Sequence, residues 1–194
     1  MTTAVQARTL KTRARLTEAA RDVISETGYA AMRVEEVVRR AGVAKGTFFA
    51  HFRDKDALMD QLIGERINAI MDDMEQLPPP SSIPALVNAL TPLMRFMTCE
   101  RYVFEIILRH SGAAEKKEVG PIAMTFGRFI EILSPWMKTS HLRQDGSPGM
   151  LAEGVQAFMI NAMALSFCAL HNDTPLEGRL QPYLELWLLP QGKN

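Results

Sequence analysis

The chain has little cysteine and no excess of charge. Only Cys99 and Cys168 are cysteines among its 194 residues, and the formal net charge is zero. So little cysteine excludes a small secreted fold held together by disulfides. Both thiols stand among apolar residues of helical spacing, so we expect reduced core residues. A redox pair would require that the two meet in space.

Motifs of the common enzyme classes are missing. The sequence contains no G-x-x-x-x-G-K-[ST], H-E-x-x-H, C-x-x-C or G-x-S-x-G. His110, His141 and His171 are too scattered along the chain to indicate a metal site. We therefore expect no catalytic activity, no metal and no cofactor.

No segment has the pattern of a signal peptide or a membrane anchor. The basic residues between Arg8 and Arg15 are not followed by an apolar run. Residues 154–172 carry no charge and approach the length of a membrane span, but polar side chains such as Gln156 and Asn161 dilute them. We expect a cytoplasmic protein that buries this helix against its own domain and a second subunit.

The alternation of apolar and polar residues that is typical of β-strands is also missing, which predicts an all-α fold. Apolar residues recur instead at helical spacing. The predicted helices cover about 9–27, 34–40, 44–50, 54–76, 84–97, 99–110, 119–138, 148–172 and 175–189. Loops are predicted at 78–82, 111–118 and 139–147, and Pro92, Pro135 and Pro182 should bend or end their helices. A capping box is expected at Thr174 to Glu177.

Positive charge is concentrated at the N-terminal end. Residues 1–53 contain ten Lys and Arg against five Asp and Glu, whereas residues 54–194 contain twelve against seventeen. This split predicts an N-terminal domain, 1–53, that contacts phosphate. A larger C-terminal domain, 54–194, would follow, with the helix at 54–76 connecting the two.

Residues 33–50 have the pattern of two short helices joined by a tight turn. Val34–Arg40 and Ala44–Ala50 read as helices, which leaves Ala41-Gly42-Val43 for the turn. A turn of this length sets two helices steeply across each other, and glycine in it can adopt positive φ. In such a helix-turn-helix the second helix enters the major groove of DNA.

The sequence around this motif resembles the N-terminal domain of the TetR (tetracycline repressor) family. The resemblance covers residues 10–62, about a quarter of the chain. Its matching positions are Ala19-Ala20, Glu26 to Tyr29, Val34, Ala41 to Phe48 (AGVAKGTF), His51-Phe52, Lys55 and Leu58. The resemblance implies an all-helical homodimer of about nine helices per subunit. It also implies binding to double-stranded operator DNA, usually as a repressor, and release by a small molecule in the C-terminal domain.

The resemblance assigns DNA contacts to the second helix and its surroundings. The candidates are Arg33, Ala44, Lys45, Gly46, Thr47, Phe49, Ala50, His51 and Lys55. Lys45 would meet a phosphate or a guanine edge, and Lys55 a phosphate. Arg33 and Phe49 replace a hydroxyl cap and a tyrosine of the family pattern, and Ala50 is short. We therefore expect DNA binding to depend more on phosphate contacts and DNA shape than on contacts with base edges.

Each of two basic clusters allows two interpretations. The residues from Arg8 to Arg15 would form either a disordered arm that reaches a minor groove or a solubilising tail. Arg39 and Arg40 would either touch the DNA backbone or lie on a solvated helix surface.

The C-terminal domain is rich in methionine, which suits an adaptable cavity for an apolar or amphipathic effector. For each candidate taken singly, the favoured interpretation is ordinary core, surface or interface. The candidates are Met97, Phe104, Arg109, Phe126, Trp136, Phe158, Met163 and His171.

The dimer interface is predicted in the two last helices. The uncharged helix at about 148–172 would pair with the apolar stripe of 175–189, which contains Leu176, Leu180, Tyr183, Leu184, Trp187 and Leu188. Two other functions remain open. A constitutive DNA-binding protein would have a filled C-terminal core without a cavity, and an enzyme carrying a helix-turn-helix would show turnover.

Overall fold

The computed structural model describes residues 2–111, 119–139, 141–171 and 173–190, and within these ranges it has nine α-helices and no strand. The all-α prediction is confirmed. The helices are α1 (Thr2–Thr27), α2 (Val34–Ala41), α3 (Lys45–His51), α4 (Lys55–Glu75), α5 (Ile83–Met97), α6 (Arg101–Ser111), α7 (Pro121–Trp136), α8 (Pro148–Ser166) and α9 (Leu176–Leu188).

The turn between α2 and α3 lies one residue later than predicted. Helix α2 continues through Ala41 because this side chain, 5% exposed, packs into the core. The turn is therefore Gly42-Val43-Ala44, and Gly42 adopts φ +61°, the left-handed conformation that glycine reaches without a Cβ clash. The predicted helix-turn-helix is present with this small shift.

Helix α1 begins at Thr2, earlier than predicted, so the basic cluster from Arg8 to Arg15 lies on a helix. Neither a disordered arm nor a loose tail describes it. Arg13 donates to the C=O of His51 at 2.7 Å and lies 4.3 Å from the ring centroid of Phe52. Arg15 donates to the C=O of Ala41. These two cations hold α1 against the ends of α2 and α3.

Helix α4 connects the N-terminal helices with the rest of the chain. It begins as predicted, since the Asp54 side chain accepts a hydrogen bond from the N–H of Ala57 at 2.8 Å. Gly64 lies where α4 crosses α7. A Cβ at this position would come within 2.7 Å of the Pro121 Cβ and 3.0 Å of its backbone carbon. Only glycine lets the two helices approach this closely.

Helices α5 to α9 form the larger part of the structure. Helix α4 contacts α5, α6 and α7, α8 lies between α7 and α9, and α9 returns to α5. Helix α8 ends at Ser166 instead of residue 172, because Phe167 turns its ring onto Phe104 at 5.6 Å. Residue 172 itself lies outside the described residues, as do 112–118 and 140 of the two predicted loops.

The predicted capping box before α9 was wrong. No capping box forms before α9: Pro175 occupies the cap position without a side-chain bond, and Glu177 pairs with Arg95 at 2.9 Å. Helix α7 ends one residue after Pro135, as predicted, whereas α5 and α9 continue past Pro92 and Pro182 instead of ending there.

The cysteines lie outside the core, contrary to prediction. Cys99 is exposed and Cys168 is half-buried. Both follow the end of a helix, so the helical spacing that suggested burial no longer applies there.

Within the described ranges, none of the helices, α8 included, is long and apolar enough to cross a membrane.

Candidate functional site

The short helix α3 presents one side to solvent and the other to the core. Its exposed residues are Lys45, Gly46, Phe49 and Ala50, and Thr47 and His51 are half-buried. Ala44, just before the helix, is extended and exposed. Six of the nine sequence-predicted DNA contacts thus lie on α3 and a seventh at its start.

Phe48 and Phe52 hold α3 in place. Their side chains are 0% and 2% exposed, and their ring centroids lie 5.5 Å apart. Both are therefore core residues. Phe49 packs edge-on against Phe48 at 5.3 Å but remains 49% exposed.

Lys45, at the start of α3, is paired with an acidic residue of α2. Its Nζ lies 2.6 Å from Oε1 of Glu35, and both side chains are largely exposed. The ion pair and hydrogen bond to Lys45 lower the pKa of Glu35. An incoming phosphate would compete with this carboxylate for the ammonium group. Nothing in the sequence signals the Lys45–Glu35 ion pair, because pairing across the α2–α3 turn depends on how the two helices cross.

Much of the positive charge on α2 is neutralised within the subunit. Arg39 and Arg40 both pair with Glu36, and Arg40 also pairs with Glu26 at 2.5 Å. The guanidinium groups lower the pKa of Glu36 to about 2. Arg33 differs, since it is exposed and its side chain has no hydrogen bond to the described residues. It is the cation of this region most available to phosphate.

Lys55, at the start of α4, points toward the preceding loop. Its Nζ donates to the C=O of Ala30 at 3.1 Å and lies 4.8 Å from the ring centroid of Tyr102. Burial lowers the pKa of Lys55. The ammonium group therefore joins the α1–α2 loop to α4 and α6, in addition to any role toward DNA.

A carboxylate from the C-terminal part of the chain holds the same loop. Glu100, between α5 and α6, accepts hydrogen bonds from the N–H groups of Tyr29 at 2.7 Å and Ala30 at 2.9 Å. We call this arrangement the Glu100 clamp. The sequence contains no signal for it, because the partners are about 70 residues apart. Arg109 of α6 adds an ion pair with Asp56 of α4 at 2.5 Å.

A small cavity of about 20 Å³ lies between α4, α5, α7 and α8. We call it the methionine cavity. Its walls are formed by Ile67, Met71, Met97, Thr125, Phe126, Phe129, Gln156, Met159 and Ile160. The volume is that of about one water molecule, so a larger occupant would have to displace side chains.

Only two of the eight predicted effector contacts, Met97 and Phe126, line this cavity. Phe104, Trp136 and Met163 are buried core residues, with exposures of 5%, 5% and 0%. Arg109 pairs with Asp56, as described. His171 is exposed, its Nδ1 lying 3.2 Å from the Cys168 sulfur. The topology separates these residues although each stands near an apolar run.

Phe158 belongs to a different cluster, at the surface where α8 meets α9. Its ring stacks on Tyr183 at 5.4 Å and meets Trp187 edge-on at 6.0 Å. The residues of the predicted apolar stripe on α9 do not all lie at the surface. Leu180, Leu184 and Leu188 are buried within the subunit, whereas Leu186, outside the stripe, is 70% exposed.

No group of three or more His, Cys, Asp or Glu side chains in the described ranges is arranged to hold a metal ion.

Comparison with known proteins identifies the first part of the chain. Residues 16–62 match the model of the bacterial regulatory proteins of the tetR family. A fatty acid metabolism regulator protein of Bacillus subtilis is 34% identical over 59 residues, which is 30% of this chain and 30% of that protein. The HTH-type transcriptional repressor DhaR of a Mycobacterium species is 25% identical over 94% of each chain. Residues 16–62 therefore have the sequence of a tetR-family DNA-binding region, and the chain as a whole is similar to regulators of this family.

The structure resembles solved TetR-family regulators over most of its length. The TetR-family repressor FadR of Thermus thermophilus, solved with lauroyl-CoA, is 20% identical, covers 90% of this chain and 92% of its own, and has a TM-score of 0.61. At this identity the likeness shows the TetR fold. Regulators of the TetR family bind operator DNA and small molecules and act as dimers.

Proposed function

We propose that this protein is a dimeric, cytoplasmic transcriptional repressor that leaves its operator DNA when a small apolar or amphipathic molecule binds its C-terminal domain. The observation that carries the proposal is the exposed side of α3, built on a TetR-type helix-turn-helix. DhaR, similar over nearly the full length, is a repressor, and the Thermus FadR structure contains a small-molecule ligand.

Helix α3 would lie in the major groove. Lys45, Gly46 and Thr47 open the helix, and Gly46 has nothing within 4 Å of an added Cβ, so the DNA backbone could approach closely. Phe49 and Ala50 supply apolar contacts, for example to a thymine methyl group. Arg33 and Lys55 would contact phosphates beside the groove, with His51 at the end of the helix.

The route from effector to DNA is short. Met97 lines the methionine cavity and is the last residue of α5; three residues later, Glu100 clamps the α1–α2 loop. An effector that displaces Met97 would therefore shift the clamp and the N-terminal helices. It acts only if it binds the shifted state more tightly than the DNA-binding state.

Two subunits would associate through the exposed parts of α8 and α9. This surface is largely uncharged and includes Ala157, Ala164, Tyr183 and Leu186. The buried leucines of the α9 stripe stabilise the subunit itself, so they cannot form the interface as predicted from the sequence. Two-fold symmetry makes such a patch complementary to its own copy.

Selection of bound duplexes from a random pool tests the proposed function. We expect a two-fold-symmetric site whose half-site centres lie about 34–36 Å, one helical turn, or a multiple of it apart. Sedimentation at micromolar concentration should give a dimer. A monomer, or selected duplexes without a shared sequence, would contradict the proposal.

The clamp can be tested without knowing the effector. Replacing Glu100 with alanine should accelerate hydrogen exchange of the Tyr29 and Ala30 amides by about tenfold or more, because each loses a charge-assisted hydrogen bond. NMR or mass spectrometry of exchange measures this effect. Glu105→Ala, on exposed α6 surface, is the control and should leave both amides unchanged. Unaltered exchange in Glu100→Ala would remove the clamp from the mechanism.

The constitutive alternative is not favoured. The support comes from similar proteins, since DhaR is a repressor and the Thermus FadR structure contains a small-molecule ligand; the methionine cavity, at about 20 Å³, is too small to decide by itself.

A further inference from the structure

We propose that the methionine cavity selects a neutral, hydroxyl-bearing apolar molecule, such as an alkylphenol or alkyl alcohol, and excludes anions. This inference rests on the proposed effector-released function and names the chemical class of the effector. It comes from two independent properties of the cavity wall, its lack of charge and the bonding of its two polar side chains.

Every side chain that lines the cavity is uncharged. Charged neighbours in the sequence point elsewhere. Arg128, beside the lining residue Phe129, is engaged with Asn68, Asp72 and Glu75 on α4. Arg66 and Asp72, beside Ile67 and Met71, are exposed. A carboxylate or phosphate in this cavity would therefore lose its hydration without gaining a cation, which is strongly unfavourable.

The two polar side chains in the wall have bonding capacity that suits a hydroxyl group. Gln156 donates through Nε2 to the C=O of Phe126 at 3.0 Å, so its oxygen and one amide hydrogen are left over. Two carbonyl oxygens cannot share a hydrogen bond, which fixes this orientation of the amide. Thr125 donates to the C=O of Ile122 at 2.6 Å and can only accept from a ligand.

A hydroxyl group can donate its one hydrogen to the Thr125 oxygen and accept the remaining amide hydrogen of Gln156, so it bonds both side chains at once. A ketone or ether can accept from Gln156 but has no hydrogen to donate to Thr125. A protonated amine would require a carboxylate, and no lining residue supplies one. The cavity thus fits a neutral hydroxyl better than the other common polar groups.

The rest of the wall adapts to the apolar body of the ligand. Met71, Met97 and Met159 contribute from three different helices, α4, α5 and α8. Methionine has three rotatable side-chain bonds and fills irregular space at little cost. Their rearrangement would enlarge the cavity from its present volume of about 20 Å³.

Three probes with one apolar body test the inference: para-butylphenol, butylbenzene and para-butylbenzoate. Isothermal titration calorimetry at about pH 7 keeps the phenol neutral and the benzoate ionised. We expect the phenol to bind about tenfold more tightly than butylbenzene, because only the phenol can form hydrogen bonds with the cavity wall. The benzoate should bind at least about a hundredfold more weakly than the phenol.

A substitution locates the preference in the cavity. Gln156→Leu keeps the side-chain volume and should abolish the advantage of the phenol over butylbenzene. Gln181→Leu is the matched control, because Gln181 lies on α9 and bonds Glu185. It should retain the advantage.

Three results would overturn the inference: benzoate binding as tight as phenol binding, no binding by any of the three probes, or an unchanged preference in Gln156→Leu. Operator binding of the same preparation, followed by gel shift, is measured separately. A protein that binds its operator and prefers the benzoate contradicts the effector class alone. A protein that binds no operator contradicts the proposed function.

Discussion

Replacing Lys45 with alanine is expected to reduce affinity for the selected operator by about a hundredfold or more. A contact from this side chain to a phosphate or a guanine edge is worth about 1–3 kcal/mol, and a dimer loses it at both half-sites. The fold should be unaffected, because the side chain is 56% exposed and its only described partner is Glu35. Gel-shift titration at fixed salt measures the effect, and circular dichroism checks the fold.

Substitution of Glu35 provides a control, because it should change operator affinity in the opposite direction. Its carboxylate lies 2.6 Å from the Lys45 ammonium and would stand near the phosphates of bound DNA. Glu35→Gln should therefore tighten operator binding, since it frees Lys45 and removes a like-charge repulsion. In the Lys45→Ala background much of this gain should vanish, which a double-mutant cycle detects. Unchanged binding in Lys45→Ala would contradict the placement of α3 in the groove.

Replacing Phe48 with alanine is expected to destabilise the N-terminal helices by about 3–5 kcal/mol. Its side chain is fully buried and packs against the rings of Phe49 and Phe52, so truncation leaves a cavity where α3 meets the core. Urea denaturation followed by circular dichroism measures the loss. Operator binding should fall with it, because α3 is no longer held in position.

Comparison with a Phe49 variant distinguishes an effect on stability from an effect on DNA recognition. This side chain is 49% exposed, so Phe49→Ala should cost less than about 1 kcal/mol of stability. If Phe49 contacts DNA, the variant should still bind the operator more weakly. Equal destabilisation by the two substitutions would mean that α3 is packed differently from the structure described above.

The sequence was most informative where the physical signal is local. Gly42 adopts positive φ, as its position in the tight turn predicted, and α4 begins within one residue of its predicted start, with Asp54 as its cap. Helical periodicity located the nine helices of the described residues, although the start of α1 moved by seven residues and the end of α8 by six. The ends of α8 and α9 were misjudged because they depend on contacts between distant segments, such as Phe167 with Phe104 and Glu177 with Arg95.

The lining of the effector cavity was even harder to predict from the sequence. Methionine content predicted an adaptable interior, but eight candidate residues could not be ranked by composition. The crossing of four helices decides which of them meet, and it brings Met97 and Phe126 together while leaving Phe158 and His171 elsewhere. Gln156 and Thr125 drew no attention as effector contacts, since their importance depends on which backbone carbonyls they bond.

The sequence by itself determined the all-α class and the helix-turn-helix, because turns and helical spacing act over a few residues, and its motif residues carried the resemblance to the TetR family. Tertiary structure decided which charges are free and how the two parts of the chain are joined. Lys45 is paired with Glu35, Arg39 and Arg40 are neutralised by Glu36, and Glu100 holds a loop about 70 residues away. Such contacts depend on how helices cross, and helix crossing is a property of the packed chain.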